Sequence, residues 1–209
     1  MMTVTAIEPF GRHKSRIFLD EEFWCVMTDA DLSASGLVPG VGLSAEEKSQ
    51  ITLEVLVPHA KRKAMDLLKA ESRTTDELRK RLCLAGFPQE AVDAAVAYVS
   101  SFGYLNDAAC AEAYAYSSKG RRSAREIRMK LEQRGISPED AEKAMLSAEI
   151  DDDTLLKDLI RKRMRGSTQF ADQKERGRMM NFLLRRGFQA DRIHEALAGI
   201  RTADRSDEE

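Results

Sequence analysis

The chain of 209 residues has few aromatics, 6% in all, and only three cysteines. Without a continuous apolar run of about 18 residues, no membrane-spanning helix is expected. Its first residues hold neither an apolar stretch nor a small-residue cleavage site, so no secretory leader is expected. Cys25, Cys83 and Cys110 are odd in number and far apart. They form neither a disulfide framework nor a CxxC pair, which makes a reducing cytoplasm the expected setting. A surplus of one charge is missing too, since 33 Lys and Arg face 35 Asp and Glu for a net −2. The P-loop, GxGxxG, GxSxG and HExxH motifs are all lacking, and His13, His59 and His194 are scattered. No catalytic residue, metal ligand or cofactor is therefore assigned, and a non-enzyme is expected. The acidic pairs Glu46/Glu47 and Asp151–Asp153 stand where helix N-termini favour acids. Cys83 and Cys110 fall on apolar helical stripes and read as small buried thiols.

Charge itself is abundant and uneven. One residue in three, 33%, is charged, against a usual quarter or so. Residues 1–57 hold 4 bases and 9 acids, 58–105 hold 8 and 6, 106–150 hold 8 of each, 151–200 hold 11 and 8, and 201–209 hold 2 and 4. Within these, 119–134 carries seven bases to two acids, and 157–186 ten to three. Such local surfaces can meet an anionic partner although the total is slightly acidic.

Residues 1–57 read as an N-terminal β-containing cap. Ser15–Leu19 and Phe23–Met27 are β-prone runs around the polar turn Asp20-Glu21-Glu22, a hairpin signal, and Thr3–Ile7 could add a strand. Gly36, Pro39, Gly40 and Gly42 mark a loop, and Ser44 with Glu47 is a capping box opening a helix toward Leu56. Pro58 marks the expected boundary. Beyond it the sequence repeats, and 58–105, 106–150 and 151–200 are expected as helical repeats 1, 2 and 3, followed by a disordered acidic tail at 201–209. Leu78/Leu82, Ile127/Leu131 and Met179/Leu183 each precede a glycine, Gly86, Gly135 or Gly187, which is followed by Phe87, Ile136 or Phe188. A second apolar stripe follows in each copy. Intervals of three and four mark amphipathic helices, the glycine suits the left-handed residue that ends a helix, and capping boxes at Thr74/Glu77 and Ser123/Glu126 open the middle helix of repeats 1 and 2. The third copy shows no such box. The expected fold is mainly α: an elongated tandem array of three three-helix repeats behind a small hairpin-containing cap.

The basic windows are the leading functional feature. Arg121, Arg122, Arg125 and Arg128 recur at three- and four-residue intervals that let much of the charge share one helical face, with Lys119 in the preceding loop, and Lys157, Arg161 and Arg165 make a second stripe. Arg forks bind carboxylates or phosphates in a defined geometry. The alternative is a solvated face neutralised by pairs such as Glu126–Lys130. Both windows are nearly devoid of the aromatics that a single-strand stacking site needs. Tyr98, Phe102, Tyr104, Tyr114 and Tyr116, near the joint of repeats 1 and 2, read as core packing, with the hydroxyls of Tyr104 and Tyr116 open to surface use.

The segment Gly103-Tyr104-Leu105-Asn106-Asp107, then Ala111-Glu112 and the turn Lys119-Gly120-Arg121-Arg122, with the weaker third copy, resembles the RecX family over about residues 60–200. Cys110 stands where that family usually has Phe, and Ser117-Ser118 occupy a commonly basic place. The resemblance implies an all-helical array of three-helix repeats. It further implies a regulator of homologous recombination and DNA repair that binds the RecA recombinase, sits in the groove of the RecA–DNA filament, and lowers recombinase, ATPase and co-protease activity. Single- or double-stranded DNA is a further expected partner, and no membrane is. The alternative function is an autonomous DNA-binding helical-repeat protein acting without RecA.

Overall fold

The computed structural model describes residues 1–202. Residues 203–209, and with them most of the expected acidic tail, lie outside the described residues. The chain divides into two units, 1–107 and 108–209.

In the first unit, β1 (Met2–Pro9), β2 (Lys14–Leu19) and β3 (Glu22–Thr28) form an antiparallel meander. The short β4 (Gly42–Leu43) completes the sheet in the order β3-β2-β1-β4. The expected hairpin is present, with a tighter turn than Asp20–Glu22. Glu22 already pairs with Leu19, so the loop is Asp20-Glu21 alone, with φ of 49° and 72°. Two successive positive φ values match the right-handed twist of the strands. Neither residue is glycine, and β1 supports both: Asp20 accepts the Thr3 N–H at 2.8 Å, and the Glu21 N–H donates to Thr5 Oγ1 at 2.9 Å.

Helix α1 (Asp29–Ser35), unforeseen in the sequence, is capped by Thr28 and closed by Gly36 in the left-handed conformation. Helix α2 (Ala45–Ile51) begins at the Ser44–Glu47 capping box. It does not stop at Pro58. A π-helical stretch, Thr52–Leu56, carries it directly into α3 (Val57–Ala70), with the Val57 N–H bonded to the Thr52 carbonyl five residues back. Proline within a helix lacks a donor and collides with the carbonyl four residues earlier, and the widened turn lets the chain pass without breaking. Helices α4 (Thr75–Leu84) and α5 (Gln89–Ser101) follow. Val4, Ile17 and Cys25 of the sheet share one core with Ala60, Leu82 and Val96 of the helices.

The second unit contains α6 (Asp107–Ser118, whose first residue closes the first unit), α7 (Ala124–Gln133), α8 (Pro138–Ser147), α9 (Asp152–Met164), β5 (Gln169–Phe170), α10 (Gln173–Arg185), α11 (Ala190–Ala198) and β6 (Arg201–Thr202). Ile127, Leu131 and Ala144 centre one core, and Leu156, Leu183 and Ile193 another. Arg201 and Thr202, assigned to the tail by composition, instead pair in parallel with Gln169 and Phe170. The cap of α10 is an Asp and so departs from the Ser/Thr boxes of the other repeats: Asp172 accepts the Glu175 N–H at 2.6 Å, while Glu175 reaches back to the Ala171 N–H at 2.7 Å.

The repeating joint is built as its glycine suggested. Gly86, Gly135 and Gly187 have φ of 89°, 78° and 86°. The N–H of Phe87, Ile136 and Phe188 returns to the carbonyl of Leu82, Leu131 and Leu183, which closes each helix with a Schellman motif.

Candidate interaction surface

The turn between α6 and α7 presents the first basic window. Ser123 ends it and caps α7, with its hydroxyl accepting the Glu126 N–H at 3.2 Å and the Glu126 carboxylate accepting the Ser123 N–H at 3.1 Å. The same hydroxyl donates to the Arg186 carbonyl at 2.6 Å. The Arg186 guanidinium donates to the Arg121 carbonyl, and its Nε lies 3.5 Å from Glu126. Asp152 accepts the Ala124 N–H at 2.7 Å. The turn is therefore fastened from α9 and from the α10–α11 joint, 28 and more residues away in sequence.

Because Ser123 is the cap, Arg121 and Arg122 stand in the turn and not on a helical face. Only Arg125 and Arg128 belong to α7. All four are exposed. Lys119 pairs with Glu149 at 3.1 Å and Arg128 with Glu142 at 2.8 Å. The expected Glu126–Lys130 pair does not form, since Glu126 is committed to Ser123 and Arg186. Among the described residues no acid pairs with Arg121, Arg122 or Arg125.

Arg125 and Arg128 line a cleft of about 860 Å³ together with Asp151–Asp153 and Arg192. Arg192 reaches Asp153 at 3.3 Å. The acids cap α9: Asp151 accepts the N–H groups of Asp153 and Thr154 at 2.9 and 3.1 Å. Hydrogen bonds from the Thr154 hydroxyl and backbone hold the Asp151 carboxyl below its ordinary range. Partial burial raises that of Asp152, with the neighbouring acids adding to it and the Ala124 N–H opposing.

The second basic window is also rearranged. Lys157 and Arg161 lie exposed on α9, with Arg161 paired to Asp158 at 2.7 Å. Arg165 leaves the stripe, since it ends the helix with φ 51° ahead of Gly166 at φ 89°.

The segment 103–107 divides its roles. Gly103, at φ 71°, ends α5, with the Tyr104 N–H returning to the Val99 carbonyl at 3.2 Å. Leu105 packs on the core of the first unit, while Asn106 is exposed. Asp107 accepts both the N–H and the hydroxyl of Thr75, at 2.8 and 3.1 Å. Asp107 thus does for α4 what Asp152 does for α7: the acid opening one repeat binds the first N–H of the middle helix in the repeat before. Two aspartates 45 residues apart were the available signal.

Two side-chain expectations are overturned. Tyr98, Phe102, Tyr104 and Tyr116 are exposed, at 38%, 56%, 53% and 75%. Of the five rings assigned to core packing, Tyr114 alone is half-buried against a core. Cys83 is exposed and Cys110 half-buried, because Cys83 follows Leu82 onto the outer side of α4. Cys25 is the buried thiol, and burial pushes its pKa up to about 12, which keeps it a protonated, inert group. Among the described residues no group of three His, Cys, Asp or Glu side chains is placed to hold a metal, and no helix is long and apolar enough to cross a membrane.

The fold and this surface define a tandem array of three-helix domains joined to a small sheet, with arginines fixed on a turn. Family models described as the first, second and third three-helix domains of RecX match residues 60–98, 106–145 and 151–197. The regulatory protein RecX of Pseudomonas savastanoi pv. phaseolicola is 32% identical over 140 residues, 66% of this chain and 90% of that one. That of Pseudomonas fluorescens is 31% identical over 148 residues, 70% of this chain and 94% of that one. The chain belongs to the RecX family of regulatory proteins. A crystal structure of regulatory protein RecX shares the fold with a TM-score of 0.59 at 21% identity, covering 93% of this chain and 98% of the other. RecX from Lactobacillus salivarius does so with 0.53 at 18%, covering 68% and 95%.

Proposed function

We propose that this chain is a non-enzymatic regulator of homologous recombination and DNA repair. It acts in the cytoplasm by binding RecA and the RecA–DNA filament and restraining recombinase, ATPase and co-protease activity. The repeats 58–105, 106–150 and 151–200 serve as successive docking modules, with Lys119, Arg121, Arg122, Arg125 and Arg128 as the leading contacts and Lys157, Arg161 and Arg165 as flanking ones. The observation carrying this reading is the turn at 121–125, whose three guanidiniums lack acidic partners among the described residues while Arg186, Ser123 and Asp152 fix its backbone. Preorganised Arg forks lose little freedom on meeting carboxylate or phosphate. The test is RecA-dependent, single-strand-stimulated ATP hydrolysis and strand exchange with the protein added stoichiometrically. Inhibition is expected, and unchanged rates would sink the proposal.

A further inference from the structure

The exposed rings of the first unit form a cluster that the arginine surface does not use. Tyr98 and Phe102 meet edge to face with centroids 5.0 Å apart, and Phe102 and Tyr104 lie nearly parallel, 5.8 Å apart at 23°. Lys61 on α3 holds its ammonium 4.9 Å from the centre of the Tyr98 ring. The next residue along, Leu105, turns into the core while the three rings remain in water. In a chain with 6% aromatics, grouping three exposed rings calls for a ligand that gains from flat apolar faces.

The surroundings select its chemistry. From Ala94 to Asn106 there is no charged residue, so no side-chain carboxylate of this stretch opposes an anionic strand. The adjoining α3 supplies Lys61 and, two turns later, Lys69. The last carbonyls of α5 carry partial negative charge, which suits uncharged bases over the rings and turns the phosphates toward α3. We propose that Tyr98, Phe102 and Tyr104, with Lys61, form a stacking platform for unpaired bases of a single-stranded nucleic acid. Base–aromatic stacking tolerates any sequence, because every base has a π-face. This site is built from residues of the first unit alone and does not depend on the recombinase.

The experiment is equilibrium binding of a short fluorescein-labelled oligothymidylate to the full chain without RecA, with a duplex of the same length as competitor. Phe102→Leu and Tyr104→Leu keep apolar volume and remove the flat face. Both rings are more than half exposed, so far-UV circular dichroism and thermal midpoint should hold. Each substitution should weaken binding roughly tenfold, about 1.4 kcal/mol, Tyr104→Trp should restore it, and Lys61→Gln should lower the salt dependence. Equal affinity for oligothymidylate in wild type and in the double Leu variant, or wild-type preference for the duplex, overturns the proposal. So does a double variant that binds the oligonucleotide normally but loses RecA binding, which would make the rings a protein-docking face and leave the regulatory role standing. Ring-dependent oligonucleotide binding with no effect of wild type on RecA would instead remove the regulatory role and keep this site.

Discussion

The joint at Gly86 and the joint at Gly187 share one backbone motif and meet different neighbours. Gly86 presses on the sheet: the Val26 N–H donates to its carbonyl at 2.8 Å, and a Cβ there would stand 2.2 Å from Val26 Cγ2. Gly187 presses on the basic turn, where a Cβ would stand 2.9 Å from Ser123 Oγ and 3.3 Å from the Arg125 Cβ. One local device, a left-handed glycine with no side chain in the way, thus closes an apolar core in one unit and positions a charged surface in the other. What each joint is for depends on the segment it touches, not on its own sequence.

Gly86→Ala should give the largest effect. The left-handed conformation costs alanine about 1–2 kcal/mol, and forcing a methyl into Val26 adds about 1–3 kcal/mol. The thermal midpoint should fall by many degrees, with loss of Trp24 fluorescence as the sheet separates from the helices. A near-normal midpoint would mean that the sheet does not rest on this joint. Gly187→Ala carries the same backbone cost but meets mainly the side-chain atoms of Ser123 and Arg125. It should destabilise less and reduce inhibition of RecA more, a crossed pattern that no general loss of folding produces.

Ser123→Ala sharpens the contrast. It removes a capping hydroxyl, worth about 1 kcal/mol, and the bond to the Arg186 carbonyl. Thr74→Ala removes the matching cap of α4. Both should lower stability by about 1–2 kcal/mol in denaturant titrations, but only Ser123→Ala should also weaken inhibition. Equal inhibition by the two variants would detach the turn from function.

These contrasts also show what was legible before the structure. Periodicity and the spaced glycines marked the middle and last helices of each repeat, and the Ser44, Thr74 and Ser123 boxes placed three helix starts, because those signals lie within a few residues. The partners of the joints were not legible: Val26 is 60 residues before Gly86, and Arg186 is 65 after Arg121. The basic stripes were misdrawn because helical spacing was extended through residues that cap a helix, Ser123 at one end and Arg165 at the other. The aromatics were misassigned because ring type indicates apolar surface and not which face of an element the core leaves uncovered.

The triple variant Arg121→Ala, Arg122→Ala, Arg125→Ala leaves both joints intact. Exposed substitutions of this kind change stability by about 0.5 kcal/mol or less, so helicity and midpoint should hold while inhibition of RecA weakens about tenfold or more. Arg186→Ala should weaken it too, by loosening the turn, and Arg186→Lys should restore part of it, since an ammonium can still donate to the Arg121 carbonyl. Full inhibition by the triple variant would move the interface elsewhere.

The smallest effect is expected at Asp152, which anchors α7 but is itself partly buried beside Asp151 and Asp153. A carboxyl raised above its unfolded value binds protons more readily in the folded state, so its contribution is most favourable in acid and declines as pH rises through the interval between the two values. At neutral pH the charge is a slight cost, while the hydrogen bond to the Ala124 N–H is a gain. Asp152→Asn keeps an oxygen for that bond and removes the charge. The variant should match or slightly exceed wild-type stability at pH 7 and lose the advantage below the ordinary carboxylate range. A clear loss of stability for Asp152→Asn at pH 7 would mean that the charge holds the turn, and that its attraction for the N-terminus of α7 outweighs the repulsion within the acidic cap.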